Sequence, residues 1–412
     1  KESMSIDLGM PKPRAMDPIE ETPSTEGRPV SHALIDTYGR TASDLRISLT
    51  DFCNLRCTYC MPEAGLQFLK KPQLMSVAEV ARFVRIGVEK LGIREVRFTG
   101  GEPLTRADLP EIIESVAKLS PKPDISLTTN AIGLEKRAAK LVEAGLDRVN
   151  ISLDSAHSET FEAITRRPFL HRVLEGIDAA REAGLSPIKI NAVLQPGANE
   201  HEAAELLEWC LERGLELRFI EYMPLDGAGR WNRKRMVTAN DVWQLLSPYY
   251  VMHPVREARG GAPAEKFEVW PRPGAPAPGA PGTIAGVLKE RGIDPADTEA
   301  VRQVLPPAPG EPFVETCERP REEALGTVGI IASVTRPFCA ACTRTRLTAE
   351  GRVRTCLFSH SETDLLGLMR SGASDEDIAE RWRAAQWGKQ AGHGMDRSDF
   401  VQPERPMSAI GG

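Results

Sequence analysis

The stretch "LRISLTDFCNLRCTYC", residues 45–60, joins a short β-rich run to three cysteines spaced C-x3-C-x2-C. Leu45 and Ile47 alternate with Arg46 and Ser48, the period of two that puts alternate side chains on opposite faces of a strand. Runs of the same kind return at 95–100 (EVRFTG), 124–129 (DISLTT), 148–153 (RVNISL), 188–193 (IKINAV) and 217–222 (LRFIEY). Helix-like stretches lie between them, at 76–91, 107–119, 134–144, 169–183 and 201–213. The first has Ser76 three residues before Glu79, a capping-box spacing, and meets a stop at Gly92. Six strands separated by helices predict parallel βαβ units, in an open sheet or a barrel.

The strands carry an anomaly. Parallel strands covered on both faces read as near-continuous apolar runs. Here one face holds Arg46 and Ser48, Arg97 and Thr99, Ser126 and Thr128, Asn150 and Ser152, Lys189 and Asn191, then Arg218. The other holds Val96, Phe98, Ile125, Leu127, Val149, Ile151, Ile188 and Ile190. Either the sheet is half-exposed and its polar face solvated, or that face lines a barrel interior. Basic side chains converging inside a barrel are costly unless a polyanion pairs with them, which points to a phosphate-bearing substrate.

With 412 residues, 41% of them hydrophobic and 27% charged, the chain can fill two or three domains. A net charge of −6 argues against binding nucleic acid by general electrostatics. No run of apolar residues is long enough to predict a membrane span, and the opening residues lack the apolar core of a signal peptide. A cytoplasmic, reducing location is the expectation. There the eight cysteines, at 53, 57, 60, 210, 317, 339, 342 and 356, suggest metal or redox chemistry more than a disulfide framework. Cys210 falls in the apolar pattern of a helix and reads as core; Cys317 has no assigned role.

Four regions are expected. Residues 1–34, rich in Pro, Glu, Ser and Thr, read as mostly disordered. Residues 35–250 carry the strand–helix alternation. Residues 251–330 are a variable, Pro-rich insertion, with five Pro and three Gly in "PRPGAPAPGAPG" (271–282). Residues 331–412 hold a second cysteine group.

Thiolates are soft ligands, suited to Fe–S clusters, zinc or copper(I). Cys53, Cys57 and Cys60 stop one short of the four ligands that a structural zinc wants. They predict a cluster with one iron left open; zinc with a remote fourth Cys or His is the alternative. The second group, Cys339, Cys342 and Cys356, is again a triad, C-x2-C-x13-C. A structural zinc completed by Cys317 or His360 is open here too. The intervening Arg344, Arg346, Arg352 and Arg354 favour a centre that holds an anionic or nitrogenous ligand.

The first triad resembles the signature of the radical S-adenosylmethionine (SAM) superfamily, and "FTGGEP" (98–103) after the second strand agrees. The resemblance implies a partial (β/α)6 barrel with its site at the strand C-terminal ends, a 4Fe–4S cluster on Cys53, Cys57 and Cys60, and SAM on the open iron. It places Gly100, Gly101 and Glu102 at the methionyl end of SAM and Tyr59 beside its adenine. Further motifs are similar to the GTP 3′,8-cyclase family of molybdenum-cofactor biosynthesis: "DLRISLTDFCNLRCTYCMP" (44–62), "VRFTGGEPLTRADL" (96–109), "LTTN" (127–130), "VNISLD" (149–154), "RFIEYMP" (218–224), "CAACTRTRLTAEG" (339–351) and "MSAIGG" (407–412).

That similarity implies conversion of GTP to 3′,8-cyclo-7,8-dihydro-GTP, with SAM cleaved to methionine and 5′-deoxyadenosine. A deoxyadenosyl radical takes the ribose 3′ hydrogen and the sugar radical attacks guanine carbon 8. Ser152 and Met223 match SAM contacts. Arg46, Arg97, Thr128, Lys189, Arg218, Arg344, Thr345 and Arg346 match GTP contacts. A second 4Fe–4S cluster on Cys339, Cys342 and Cys356, in the C-terminal domain, would hold the guanine. Arg344, Arg346, Gly411 and Gly412 would act in catalysis, the glycines as a tail entering the site. Partners implied are an electron donor, a downstream cyclic pyranopterin monophosphate synthase and a second copy in a homodimer. Glu95 departs from the family's basic residue there, and residues 256–325 are inserted. A peptide-modifying radical SAM maturase and a non-catalytic zinc protein are the competing readings.

Overall fold

In the computed structural model, residues 16–226, 229, 231–278, 284–305 and 319–411 are described. Six parallel strands form as the alternation predicts: β1 (Asp44–Ser48), β2 (Glu95–Thr99), β3 (Asp124–Thr129), β4 (Arg148–Ser152), β5 (Ile188–Val193) and β6 (Glu216–Ile220). They pair in chain order. Helix α1 (Val77–Leu91) starts at the capping box: Ser76 Oγ accepts from Glu79 N at 3.2 Å and Glu79 Oε2 from Ser76 N at 2.8 Å. Gly92 closes it at φ +77°, a conformation that only glycine adopts cheaply. The helix buries Val80, Phe83, Val84 and Ile86 in the main core, with the apolar faces of β1 and β2.

Beyond the six, the sheet runs on without a break. Strands β7 (Tyr250–Pro254), β8 (Glu265–Pro271), β9 (Gly326–Ile331), β10 (Arg344–Leu347), β11 (Arg352–Arg354) and β12 (Thr363–Asp364) extend it to the order β12-β11-β10-β1-β2-β3-β4-β5-β6-β9-β8-β7. Both β10 on β1 and β9 on β6 are parallel. The second cysteine region is therefore built onto the edge of the first sheet. The expected insertion supplies β7 and β8, more regular structure than its proline content suggested. Cys317 lies outside the described residues.

Residues 16–34 pack more closely than their composition suggested. The Asp17 carboxylate is buried against Arg354 Nη1 at 2.5 Å, and Ile19 bridges Glu362. Residues 1–15 lie outside the described residues.

The polar face of the sheet is not solvated. Arg46, Ser126, Asn150 and Arg218 are each less than 9% exposed. So is the apolar face under the helices, where Leu45, Ile47, Phe98, Ile125 and Ile190 are fully buried. Burial on both sides selects the barrel reading over the half-exposed sheet.

Candidate active site

The loops after β1, β2, β3 and β4 meet in a cavity of about 890 Å³, counting its open mouth. Cys53, Cys57, Cys60, Tyr59, Gly100, Gly101, Glu102, Thr128 and Ser152 line it, so the structure brings together the expected first cluster and most of the expected SAM contacts. Met223 packs instead on an adjoining apolar cluster with Leu225, Val334 and Ile410.

The two glycines answer to backbone, not to a ligand alone. A Cβ on Gly100 would stand 2.3 Å from Thr50 O, and one on Gly101 2.2 Å from Phe52 O. Gly101 N and Glu102 N donate to those same carbonyls at 2.7 Å each. The loop after β2 thus presses on the loop that carries Cys53. Glu102 is buried beneath it. Its carboxylate accepts from Thr129 Oγ1 (2.6 Å), Asn130 N (2.7 Å) and Leu104 N (2.9 Å), yet burial still pushes it up to about 7.

Burial and neighbouring carboxylates also push the thiols up, Cys53 to about 12 and Cys60 to about 11, with Cys57 well above its usual value. Such thiols ionise only when a metal takes up the charge. Among the described residues no three His, Cys, Asp or Glu side chains converge as the ligands of a single ion would. A cluster that offers its irons at separate corners does not require that convergence. The donor set fits a cluster held by three half-buried thiolates at the cavity wall.

Two residues here were not singled out from the sequence. Asp154 Oδ2 accepts from Tyr59 Oη at 2.8 Å and Oδ1 from Val193 N at 2.9 Å; burial raises its carboxyl to about 6. Asn130 Nδ2 donates to Asn54 Oδ1 at 2.7 Å and lies 3.9 Å from Cys53 Sγ. Asp154 had a signal: it continues the alternation Asn150, Ser152, Asp154 past the end of β4. Asn130, one residue past β3, had the same signal, continuing Ser126 and Thr128.

The basic residues form a row across β10, β1 and β2. Strand register aligns Arg346 with Arg46, and Arg46 with Arg97. Like charges in register on neighbouring strands repel one another. Burial lowers Arg46 and Arg346 to about 9, and charged neighbours add to it; both stay cationic at neutral pH. Asp44 lies 3.6 Å from Arg46 and offsets part of this repulsion. Among the described residues, Arg46 Nε and Arg344 Nη2 are buried without a hydrogen-bond partner. These orphaned donors fit a bound polyanion.

Farther round the sheet, Arg218 donates to Asn191 Oδ1 and Asn150 Oδ1, both at 2.9 Å, and burial lowers it to about 10. Lys189 stands 3.8 Å from Glu216, and burial lowers it to about 8. Thr128 lines the cavity and Thr345 Oγ1 accepts from Trp382 Nε1 at 3.0 Å. Glu95, exposed at the far end of β2, pairs with Arg148 at 3.1 Å.

The closing residues of the chain enter the barrel. Ser48 Oγ donates to Ile410 O at 2.6 Å and Arg346 Nη1 to Gly411 O at 3.2 Å. A Cβ on Gly411, at φ +82°, would meet Ser48 Oγ at 2.4 Å. Gly412 lies outside the described residues. Arg405, fully buried, anchors this tail by donating to Glu350 Oε1 (2.6 Å) and Glu362 Oε2 (2.9 Å).

The second triad has the opposite surroundings. Arg344 Nε donates to Cys342 Sγ at 3.4 Å and Lys389 Nζ at 3.3 Å. Burial alone would raise Cys342, but these two cations outweigh it and bring the thiol down to about 6. Three thiols beside fixed cations also fit a thiolate-bound centre.

Comparison with known proteins agrees with this geometry. Residues 47–210 match the Radical SAM superfamily model, and 311–395 match Molybdenum Cofactor Synthesis C. A protein of Paenarthrobacter nicotinovorans named GTP 3′,8-cyclase is 52% identical over 92% of this chain and 97% of its own length. Its namesake in Streptomyces coelicolor is 50% identical over 96% and 100%, and that of Mycobacterium marinum 47% over 98% and 99%. With the radical SAM barrel, the cysteine triads and near-full-length similarity together, the chain belongs to the GTP 3′,8-cyclase family of radical SAM enzymes, which serves molybdenum-cofactor biosynthesis.

Proposed function

We propose that this chain converts GTP and SAM to 3′,8-cyclo-7,8-dihydro-GTP, methionine and 5′-deoxyadenosine. The observation that carries this reading is the register Arg346, Arg46, Arg97 across β10, β1 and β2: two buried cations and a third partly buried beside them, on strands adjoining the loops of both cysteine triads. A triphosphate laid along that row would leave its nucleoside between the centres.

Cys53, Cys57 and Cys60 would hold a 4Fe–4S cluster, and Cys339, Cys342 and Cys356 a second one. A reduced 4Fe–4S cluster with SAM supplies a deoxyadenosyl radical; the protein's share is to bind, orient and shield. Gly100, Gly101, Glu102, Ser152 and Met223 would hold SAM, with Tyr59 beside its adenine. Arg46, Arg97, Thr128, Lys189, Arg218, Arg344, Thr345 and Arg346 would hold GTP, its guanine at the second centre. Arg344 and Arg346 neutralise charge where the ring closes, and Gly411 and Gly412 bring the tail against the substrate. Arg346 Nη1 also donates to Gly411 O, so one guanidinium would touch both the tail and the substrate. We assign the domains as a barrel over 35–250, a variable region over 251–330 and a second-cluster region over 331–412.

Among the described residues no helix is long and apolar enough to cross a membrane. Cytoplasmic residence, a homodimer, an external electron donor and a downstream cyclic pyranopterin monophosphate synthase complete the proposal. Its direct test is composition with binding. Anaerobically reconstituted protein should carry about eight irons and eight sulfides per chain, and should bind GTP only while the second triad is loaded. Zinc at the second triad, or GTP binding indifferent to it, would contradict the assignment.

A further inference from the structure

One short segment, Lys389–His393, lies against all three cysteines of the second triad. Lys389 Nζ is 3.3 Å from Cys342 Sγ, and it also donates to Arg344 O at 2.7 Å. Gln390 Nε2 is 3.9 Å from Cys356 Sγ, and its other contact is Gly392 O at 2.7 Å. Gly392 lies against Cys339, where a Cβ on the glycine would stand 3.7 Å from the Sγ. The segment follows a helix (Asp375–Trp387) tied to β10 by the Trp382–Thr345 bond, so the strap is built on the strand that bears Arg344 and Arg346.

The strap is itself fastened. The Arg40 guanidinium donates to Gln390 O (2.7 Å), Ala391 O (2.7 Å) and Cys339 O (2.8 Å). Its Nε is held by Asp36 Oδ2 at 2.6 Å, and both side chains are buried. One arginine therefore clamps the strap to the loop of the first cysteine in the triad. Hydrogen bonds and positive charge beside cluster sulfurs favour the reduced, more negative form.

We propose that Lys389–His393 is a tuning strap for the centre bound by Cys339, Cys342 and Cys356, and that Lys389 raises that centre's one-electron reduction potential. This rests on the second triad holding an iron–sulfur cluster. Lys389 acts through Cys342 and through Arg344 O; it is a positioning residue.

The test is a potentiometric titration of the reconstituted holoenzyme followed by electron paramagnetic resonance, with iron counted in each sample. In Lys389→Met the second centre should shift negative by about tenfold in the reduced-to-oxidised ratio at fixed potential, ~59 mV for one electron. The first centre should not move, and Lys389→Arg should restore the wild-type value. Gln390→Met should shift the same centre in the same direction by less. Loss of iron from Lys389→Met that Lys389→Arg restores would also support the strap. Fully loaded Met variants with unchanged potentials overturn it. A wild-type protein with only one cluster would instead remove the second-cluster reading on which the strap depends.

Discussion

The two cysteine triads look alike as sequence and differ as environments. Around the first stand carboxylates: Glu102 and Asp154 are both buried nearby, and both add to the thiols' reluctance to ionise. Around the second stand cations, Arg344 and Lys389, and Cys342 is stabilised as thiolate by them. The first site is shaped to bring in a cluster whose iron must supply all the compensating charge, next to a cavity with glycine-lined walls. The second is compensated at Cys342, while burial still pushes Cys339 up, and Arg344 on β10 stands beside it. Chemistry that begins with cleavage of a cationic sulfonium suits the former; an anionic nucleotide suits the latter.

The most severe way to break this comparison is to remove one sulfur from each side. Cys57→Ala should abolish 5′-deoxyadenosine formation. Cys356→Ala should keep the first centre and its SAM binding while losing GTP binding, read by counting iron and by calorimetry with each ligand. If both substitutions cost the same ligand, the division of labour is wrong.

Next in size are the arginines. Arg46→Ala and Arg346→Ala each remove a charged donor aimed at phosphate, worth ~1.5–3 kcal/mol, so GTP should bind roughly 10- to 100-fold more weakly with SAM affinity unchanged. Gly411→Ala places a methyl 2.4 Å from Ser48 Oγ and should expel the tail. We expect pterin yield to fall by about tenfold, since misplacing a positioning group by about an ångström costs up to ~10²-fold, while GTP affinity holds. Equal loss of affinity would assign the tail to binding.

The smallest effect sharpens the electrostatic contrast. Glu102 is raised from 4.5 to about 7 by burial, so the folded state binds its proton more tightly than the unfolded one. The associated stability is complete below the unfolded value and is lost as pH rises through the folded one. Iron-free protein should therefore melt a few degrees lower at about pH 8 than at about pH 5. Glu102→Gln should flatten that part of the profile; a slope unchanged in the variant would place the titration elsewhere.

Much of this was legible in the chain because period-two alternation and cysteine spacing are local signals. Arg46, Arg97, Lys189 and Arg218 stand out on the strands by that alternation, and Arg46 and Arg218 are buried on its polar face. What could not be read was adjacency across long separations. Nothing local places Arg344–Leu347 beside Asp44–Ser48, yet that pairing sets the strand that follows Cys339 and Cys342 directly beside the strand that leads to Cys53, Cys57 and Cys60. Lys389 and Arg40 escaped notice for the same reason, each lying in a loop with no periodicity to flag it. Asp17 escaped because a segment rich in proline and glutamate gives no sign of one buried carboxylate. The resemblance accounts for the GGEP glycines by SAM, and the structure adds a nearer cause in the carbonyls of Thr50 and Phe52.

The central claim is that the two centres act on one nucleotide. The most direct test is to incubate reconstituted protein anaerobically with SAM, reductant and GTP, and to follow 5′-deoxyadenosine together with a pterin derived from the nucleotide product. The account predicts that both form and that both require GTP. Deoxyadenosine without pterin, with both clusters loaded, would contradict it.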